Sequence, residues 1–96
     1  MKPSDALKRH REAIRATTGR FKTKNPRVFG SVASGTDRDG SDLDLLVEPL
    51  PGTTLFDLGG LQVALEELLG VPVDLLVPGD LPAKFRARVL AQARDL

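Results

Sequence analysis

The sequence predicts an α/β (α+β) fold, a small sheet of at least three strands covered by helices. Three observations carry this reading. Apolar and polar residues alternate along Asp42–Glu48 and Val71–Val77, the period-two pattern of half-buried strands. Leu58, Leu61, Leu65 and Leu68, and later Leu81, Phe85 and Val89, recur at helical spacing. The chain has 96 residues, enough for one modest core, and no linker or internal repeat divides it. Residues 1–96 therefore read as a single domain.

The elements follow in order. Ser4 can cap a first helix running to Thr17, with Leu7 and Ile14 on one face. That stripe is thin and suggests packing at an edge of the core, and Gly19 is placed to end the helix. Asn25-Pro26 marks a turn, and Arg27-Val28-Phe29-Gly30 reads as a short strand. Gly30-Ser31 reads as a tight turn and residues 34–41 as a loop. Asp42–Glu48 is the second strand, broken by Pro49, Pro51 and Gly52. Thr54 with Asp57 three residues on resembles a capping box opening a helix to Leu69. Gly59-Gly60 weakens its first turn by roughly 1 kcal/mol per Gly against Ala. Gly70 suits the position after the helix. Val71–Val77 is the third strand, Pro78-Gly79 turns the chain, and Asp80 can cap a last helix.

Composition excludes several classes. There is no Cys, so neither a disulfide framework nor a thiolate zinc site can form, and a reducing cytoplasm fits. No apolar run is long enough for a bilayer, and MKPSDALKRHREAIR has no apolar signal-peptide core. With no Trp or Tyr and four Phe, stacking platforms for nucleic acid are nearly absent. Net charge is +1, unevenly spread: residues 1–27 hold nine Lys/Arg against Asp5 and Glu12. That reads as a solvated helix face balancing an acidic remainder, more than as a polyanion site. His10, the one His, sits on this basic stretch and receives no role.

The stretch GSVASGTDRDGSDLDLLV carries the chemistry. In a strand, residues i and i+2 share a face about 6.5–7 Å apart. Asp42 and Asp44 therefore project together, away from Leu43, Leu45 and Val47. In the third strand Asp74 lies opposite Val71, Val73, Leu75 and Val77, so if the strands are neighbours it joins them. Three carboxylates repel one another unless a cation is present. Mg²⁺ suits them, since it takes carboxylate oxygen and shares its shell with substrate phosphates. Two such ions can serve an attacking hydroxyl and a leaving pyrophosphate. Gly30 allows close backbone approach to a phosphate, and the Ser31 hydroxyl can donate to it. Gly35 extends that freedom, and Ser41 can fix the start of the strand. An Asp-x-Asp pair, a Gly-Ser dipeptide or a strand Asp is each commonplace alone; their combination is specific.

Gly-Ser, ten residues, Asp-x-Asp and a later strand Asp resembles the signature of the DNA polymerase β-like nucleotidyltransferase superfamily. Residues 4–96 are similar to its smallest branch, the minimal nucleotidyltransferases, through RVFGSVASG, SDLDLLVE, LGGLQVALEELLG, VPVDLLV and VLAQAR. The resemblance implies a small mixed sheet flanked by helices, the polymerase β palm-like fold. It implies that Asp42, Asp44 and Asp74 bind Mg²⁺ and that Asp74 also takes the acceptor's proton. It gives Gly30 and Ser31 the β- and γ-phosphates of ATP. It further implies an antitoxin of a toxin–antitoxin module that transfers AMP to a tyrosine of a HEPN-domain toxin. One departure stands out: the family's loop is Gly-Ser-x-Ala-Arg-Gly, and Ser34 replaces the Arg. Arg38 or Arg27 could substitute.

Three classes of function compete. The first is a Mg²⁺-dependent adenylyltransferase acting on a protein, with a small molecule or RNA end as alternative acceptors. The second is a non-catalytic antitoxin that masks the HEPN partner. The third, a nucleic-acid binder using the basic N-terminal region, is the weakest. Homo-oligomers stay open.

Overall fold

A computed structural model describes residues 1–96. The chain runs α1 (Pro3–Arg20), β1 (Thr23–Phe29), α2 (Gly30–Ser34), β2 (Leu43–Pro49), α3 (Leu55–Leu69), β3 (Val73–Leu76), a 3₁₀ turn (Pro78–Asp80), α4 (Ala83–Gln92) and β4 (Arg94–Asp95). The sheet is mixed, in the order β3-β2-β1-β4. β1 pairs antiparallel with β2 and β4, while β2 and β3 run parallel through the α3 crossover.

Alternation along β2 settles which face is which. Leu43, Leu45 and Val47 are fully buried and join Val28 and Val73 against one layer of helices. α1 contributes Ala6, Leu7 and Ile14 to that layer, and α3 contributes Leu61, Leu65 and Leu69. α1 thus lies in the core rather than at its edge. Leu46, on the carboxylate-bearing face, is also fully buried, and the 3₁₀ turn packs against its strand.

Several local expectations need correction. α1 begins at Pro3 with Lys2 at its N-cap and no side-chain cap, so Ser4 lies inside the first turn. Gly19 does not stop the helix, which runs to Arg20; the left-handed residue that turns the chain is Lys22, at φ 57°. Asn25-Pro26 lies within β1 instead of ahead of it. Pairing slips between Lys24 and Arg27, and Asn25 takes φ 51°. A bulge accommodates both an Asn in the left-handed region and a Pro without an N–H. β3 is shorter than Val71–Val77, although Val71 and Val77 are buried as the alternation requires. Asp80 falls in the 3₁₀ turn, and Pro82 occupies the N-cap of α4. No side chain caps α4; separately, the Arg86 Nε donates to Pro78 O at 3.0 Å and its Nη2 to Leu81 O at 2.8 Å, tying the turn to the helix. Phe85, 46% exposed, is not a core residue.

α3 behaves as its sequence predicts. Thr54 N–H donates to Asp57 Oδ2 at 2.9 Å and Asp57 N–H donates back to Thr54 Oγ1 at 3.2 Å. Gly70 closes the helix at φ 69°. Gly59-Gly60 does not disturb it. A Cβ at Gly60 would come within 2.9 Å of the Phe21 ring, so the missing side chain lets α3 lie against that ring. No helix is long and apolar enough to cross a membrane.

Candidate active site

The two carboxylates of the Asp-x-Asp pair fall at the entry to β2, one just ahead of the strand and one within it. Asp42 stands one residue ahead of β2, exposed; Asp44 is half-buried within the strand. The parallel register sets Asp44 directly across from Asp74, which is exposed on β3. The antiparallel register on the other side sets Asp44 across from Phe29, the last residue of β1. Asp44 is therefore the hub of this surface. Burial, then repulsion from Asp74 and Asp42, pushes its carboxyl up to about 6. Asp42 and Asp74 are near enough to Asp44 to repel its charge, but no three Asp, Glu or His side chains are drawn together closely enough to hold a metal ion.

Gly30 follows Phe29 immediately and touches the hub. It takes φ 69°, and a Cβ there would fall 2.1 Å from Asp44 Oδ2. Only glycine fits, for both backbone and space. The tight turn expected at Gly30-Ser31 is a five-residue helix, α2, closed by Gly35 at φ 76°. Ser31 engages its carbonyl within the loop: Thr36 N–H donates to it at 2.9 Å and Ser34 Oγ at 3.2 Å. Ser34 Oγ also shares a hydrogen bond of 2.8 Å with Thr36 Oγ1. The Ser34 hydroxyl is thus tied into its own loop.

The rest of the loop is anchored at both ends. Asp37 Oδ2 accepts the Ser4 N–H at 2.9 Å, satisfying one of the free donors at the start of α1. This bond, against some opposing burial, holds the Asp37 carboxyl below the usual range. At the far end, Arg38 N–H donates to Ser41 Oγ at 2.9 Å and Ser41 N–H to Arg38 O at 3.0 Å. Ser41 fixes the start of β2 as expected.

The two candidate substitutes for the loop Arg differ. Arg38 is exposed on the loop. Arg27 shares a shallow cavity with Asn25, Glu48 and Asp95, forms no ion pair with them, and its Nε is buried without a partner. Sequence reasoning missed a third cation. A cleft of about 330 Å³ runs between α2 and the end of α4, lined by Gly30, Ala33, Ser34, Ala91, Gln92 and Arg94. Only the pairing of β4 with β1 brings Arg94 there, and a two-residue strand leaves no periodic signal.

The sequence and the fold that carry this surface are similar to those of known proteins. The model of the nucleotidyltransferase domain family matches residues 7–96. A Methanocaldococcus jannaschii protein ascribed protein-adenylyltransferase activity is 38% identical over 76% of this chain and 78% of its own length. The protein adenylyltransferase MntA of Thermococcus cleftensis is 33% identical over 90% of this chain and 84% of its own. A solved structure ascribed to a minimal nucleotidyltransferase superposes with a TM-score of 0.88 at 44% identity, covering 97% of this chain and 95% of that one. A chain of a toxin–antitoxin solved with AMP-PNP shares the fold, at a TM-score of 0.67 and 21% identity, covering 97% of this chain and 71% of that one. By sequence and by architecture, this chain belongs to the nucleotidyltransferase family and is an enzyme of nucleotide transfer.

Proposed function

We propose that the enzyme transfers AMP from ATP to a tyrosine hydroxyl of a partner protein, a HEPN-domain toxin that it serves as antitoxin. The observation that carries the reading is the contact of Gly30 with Asp44. A phosphate held by Gly30 and Ser31 would then lie beside the carboxylates of Asp42, Asp44 and Asp74. The adenylyltransferases and the toxin–antitoxin chain similar to this one support the choice of chemistry and partner.

Three oxygen-donor side chains, one of them raised first by burial and then by the charge of the other two, have the donor chemistry of a hard divalent cation site. Asp42, Asp44 and Asp74 would hold Mg²⁺, which when bound neutralises phosphate charge and stabilises the leaving group. Gly30 and Ser31 bind and orient the β- and γ-phosphates through backbone N–H groups and the Ser31 hydroxyl. The acceptor oxygen forms a bond to the α-phosphorus as the bond from that phosphorus to the pyrophosphate oxygen breaks. The hydroxyl proton passes to the Asp74 carboxylate, which is exposed and open to an incoming partner. AMP remains esterified to the acceptor and pyrophosphate leaves.

Labelled ATP, Mg²⁺ and the cognate toxin test this. The expected result is one adenylate per acceptor tyrosine, lost in Asp42→Asn/Asp44→Asn. Unlabelled toxin, or labelling that survives the double substitution, contradicts it. One observation favours masking instead: Ser34, tied into its loop, brings no charge to the phosphates. If the double variant still protects cells from the toxin, masking accounts for the antitoxin function.

A further inference from the structure

α3 presents to solvent an apolar stripe that nothing in the chain covers. Phe56 is 92% exposed, Leu55 83% and Val63 55%. Phe56, Gly59, Val63 and Glu67 recur at the spacing of one helix face, opposite the face that carries Leu61, Leu65 and Leu69 into the core. Gly59 has no packing reason within the chain. A Cβ there would meet nothing within 4 Å, whereas one at Gly60 would meet the Phe21 ring. Glycine inside a helix is less stable than alanine, so a bare position in open space invites a side chain. Gly59 instead leaves a hole one turn from an uncovered phenylalanine.

The stripe is complementary to itself. Two copies of α3 laid antiparallel about a two-fold axis at Gly59 put Phe56 of each between Gly59 and Val63 of the other. The charges at the ends match as well. Lys22 sits beside the start of α3: its carbonyl accepts the Leu50 N–H at 3.0 Å, and its ammonium acts on the Asp57 carboxyl. Glu67 stands exposed at the far end of the stripe. Neither forms an ion pair within the chain. The same two-fold axis carries Glu67 of each copy to the Lys22 end of the other, twice over. An aromatic side chain alone covers roughly 150–250 Å². With Leu55, Val63 and the partly exposed Leu50, the apolar area on offer is on the order of 400 Å². Two such patches with their polar rims reach about 1,000 Å² in total, the low end of specific association.

We propose that this face of α3 binds a second copy of the chain as a two-fold antiparallel helix pair. α1 and α3 cover the sheet face opposite the strand carboxylates, so the dimer leaves both candidate active sites open.

Sedimentation equilibrium of the full chain, from about 1 μM to about 1 mM at low salt, tests it. Wild type dimerises with a dissociation constant of about 1–100 μM. Phe56→Ser weakens the dimer at least about 30-fold. Lys22→Glu and Glu67→Lys each weaken it about tenfold, by turning two attractive pairs into repulsive ones. Mixed in equal amounts, these two variants associate with each other about as tightly as wild type with itself, since each carries the charge the other needs. Gly59→Gln weakens the dimer yet raises the melting temperature of the dilute monomer. If a thermal melt shows Lys22→Glu unfolded, Lys22→Gln replaces it and weakens the dimer about threefold. A wild-type chain that stays monomeric to about 1 mM overturns the proposal. So does a dimer unmoved by Phe56→Ser, or a pair of folded charge variants that do not associate on mixing. A monomeric chain whose capture of the cognate toxin is lost in Phe56→Ser assigns the patch to that protein and overturns the proposal equally.

Discussion

The two halves of the candidate site are held in place by different means. Asp44 and Asp74 sit on adjacent parallel strands, opposite one another, with Leu43, Leu45 and Val47 fully buried behind them. Their relation is set by sheet register, and a slip of one residue would drive the apolar set into solvent. The segment from Gly30 to Asp42 has no such framework. It consists of a five-residue helix and a loop tied by Asp37 to the start of α1 and by Ser41 to itself. The contrast means that the carboxylate spacing is fixed by the sheet while the loop is fixed only by a few hydrogen bonds. A strand carboxylate cannot be moved without repacking a core. A loop side chain can be exchanged without that repacking.

Gly30 is where the halves meet, so its substitution should have the largest effect. Gly30→Ala brings a Cβ against Asp44 Oδ2 and forces alanine to φ 69°. Together these should cost about 2–4 kcal/mol in a urea melt, from backbone strain plus overpacking. If the contact with Asp44 is the cause, Gly30→Ala/Asp44→Ala should recover part of that loss. Strictly additive losses would mean that backbone strain alone is responsible.

Breaking the loop's anchor should cost less. Asp37→Asn replaces a charged acceptor at the free N–H groups of α1 and should lower stability by about 0.5–2 kcal/mol at neutral pH. The sign with pH follows from the lowered carboxyl. A group held below its unfolded value of about 3.9 stabilises the fold above that value. The contribution is lost as pH falls through the folded value. Wild type and variant should therefore converge in urea midpoint as pH is lowered below about 4. A difference that persists at low pH would assign the effect to the shape of the loop and not to the charge.

The same division governs what could be read from sequence. Period-two alternation placed Asp42, Asp44 and Asp74 on one face, because one buried face fixes all the others along a strand. The Thr54–Asp57 capping box and Gly70 were legible because both are local hydrogen-bond chemistry completed within a few residues. Asn25-Pro26 misled because a bulge inside a strand asks for the same residues as a turn. Gly19 misled because the left-handed turn fell three residues later, at Lys22. Asp80 misled because the chain makes a 3₁₀ turn there and α4 begins after Pro82. The Asp37–Ser4 bond, the contact of Gly30 with Asp44 and the arrival of Arg94 are long-range pairings. Nothing in local spacing announces them.

The central claim is that the strand carboxylates and the Gly30 loop act on one bound nucleotide. Backbone amide chemical shifts of the ¹⁵N-labelled chain, recorded with AMP-PNP with and without Mg²⁺, address it residue by residue. The account predicts Mg²⁺-dependent shifts concentrated at Gly30–Ser34, Asp42–Asp44 and Asp74, and their loss in Asp44→Asn. Shifts confined to one half of the site, or present equally without Mg²⁺, would contradict it.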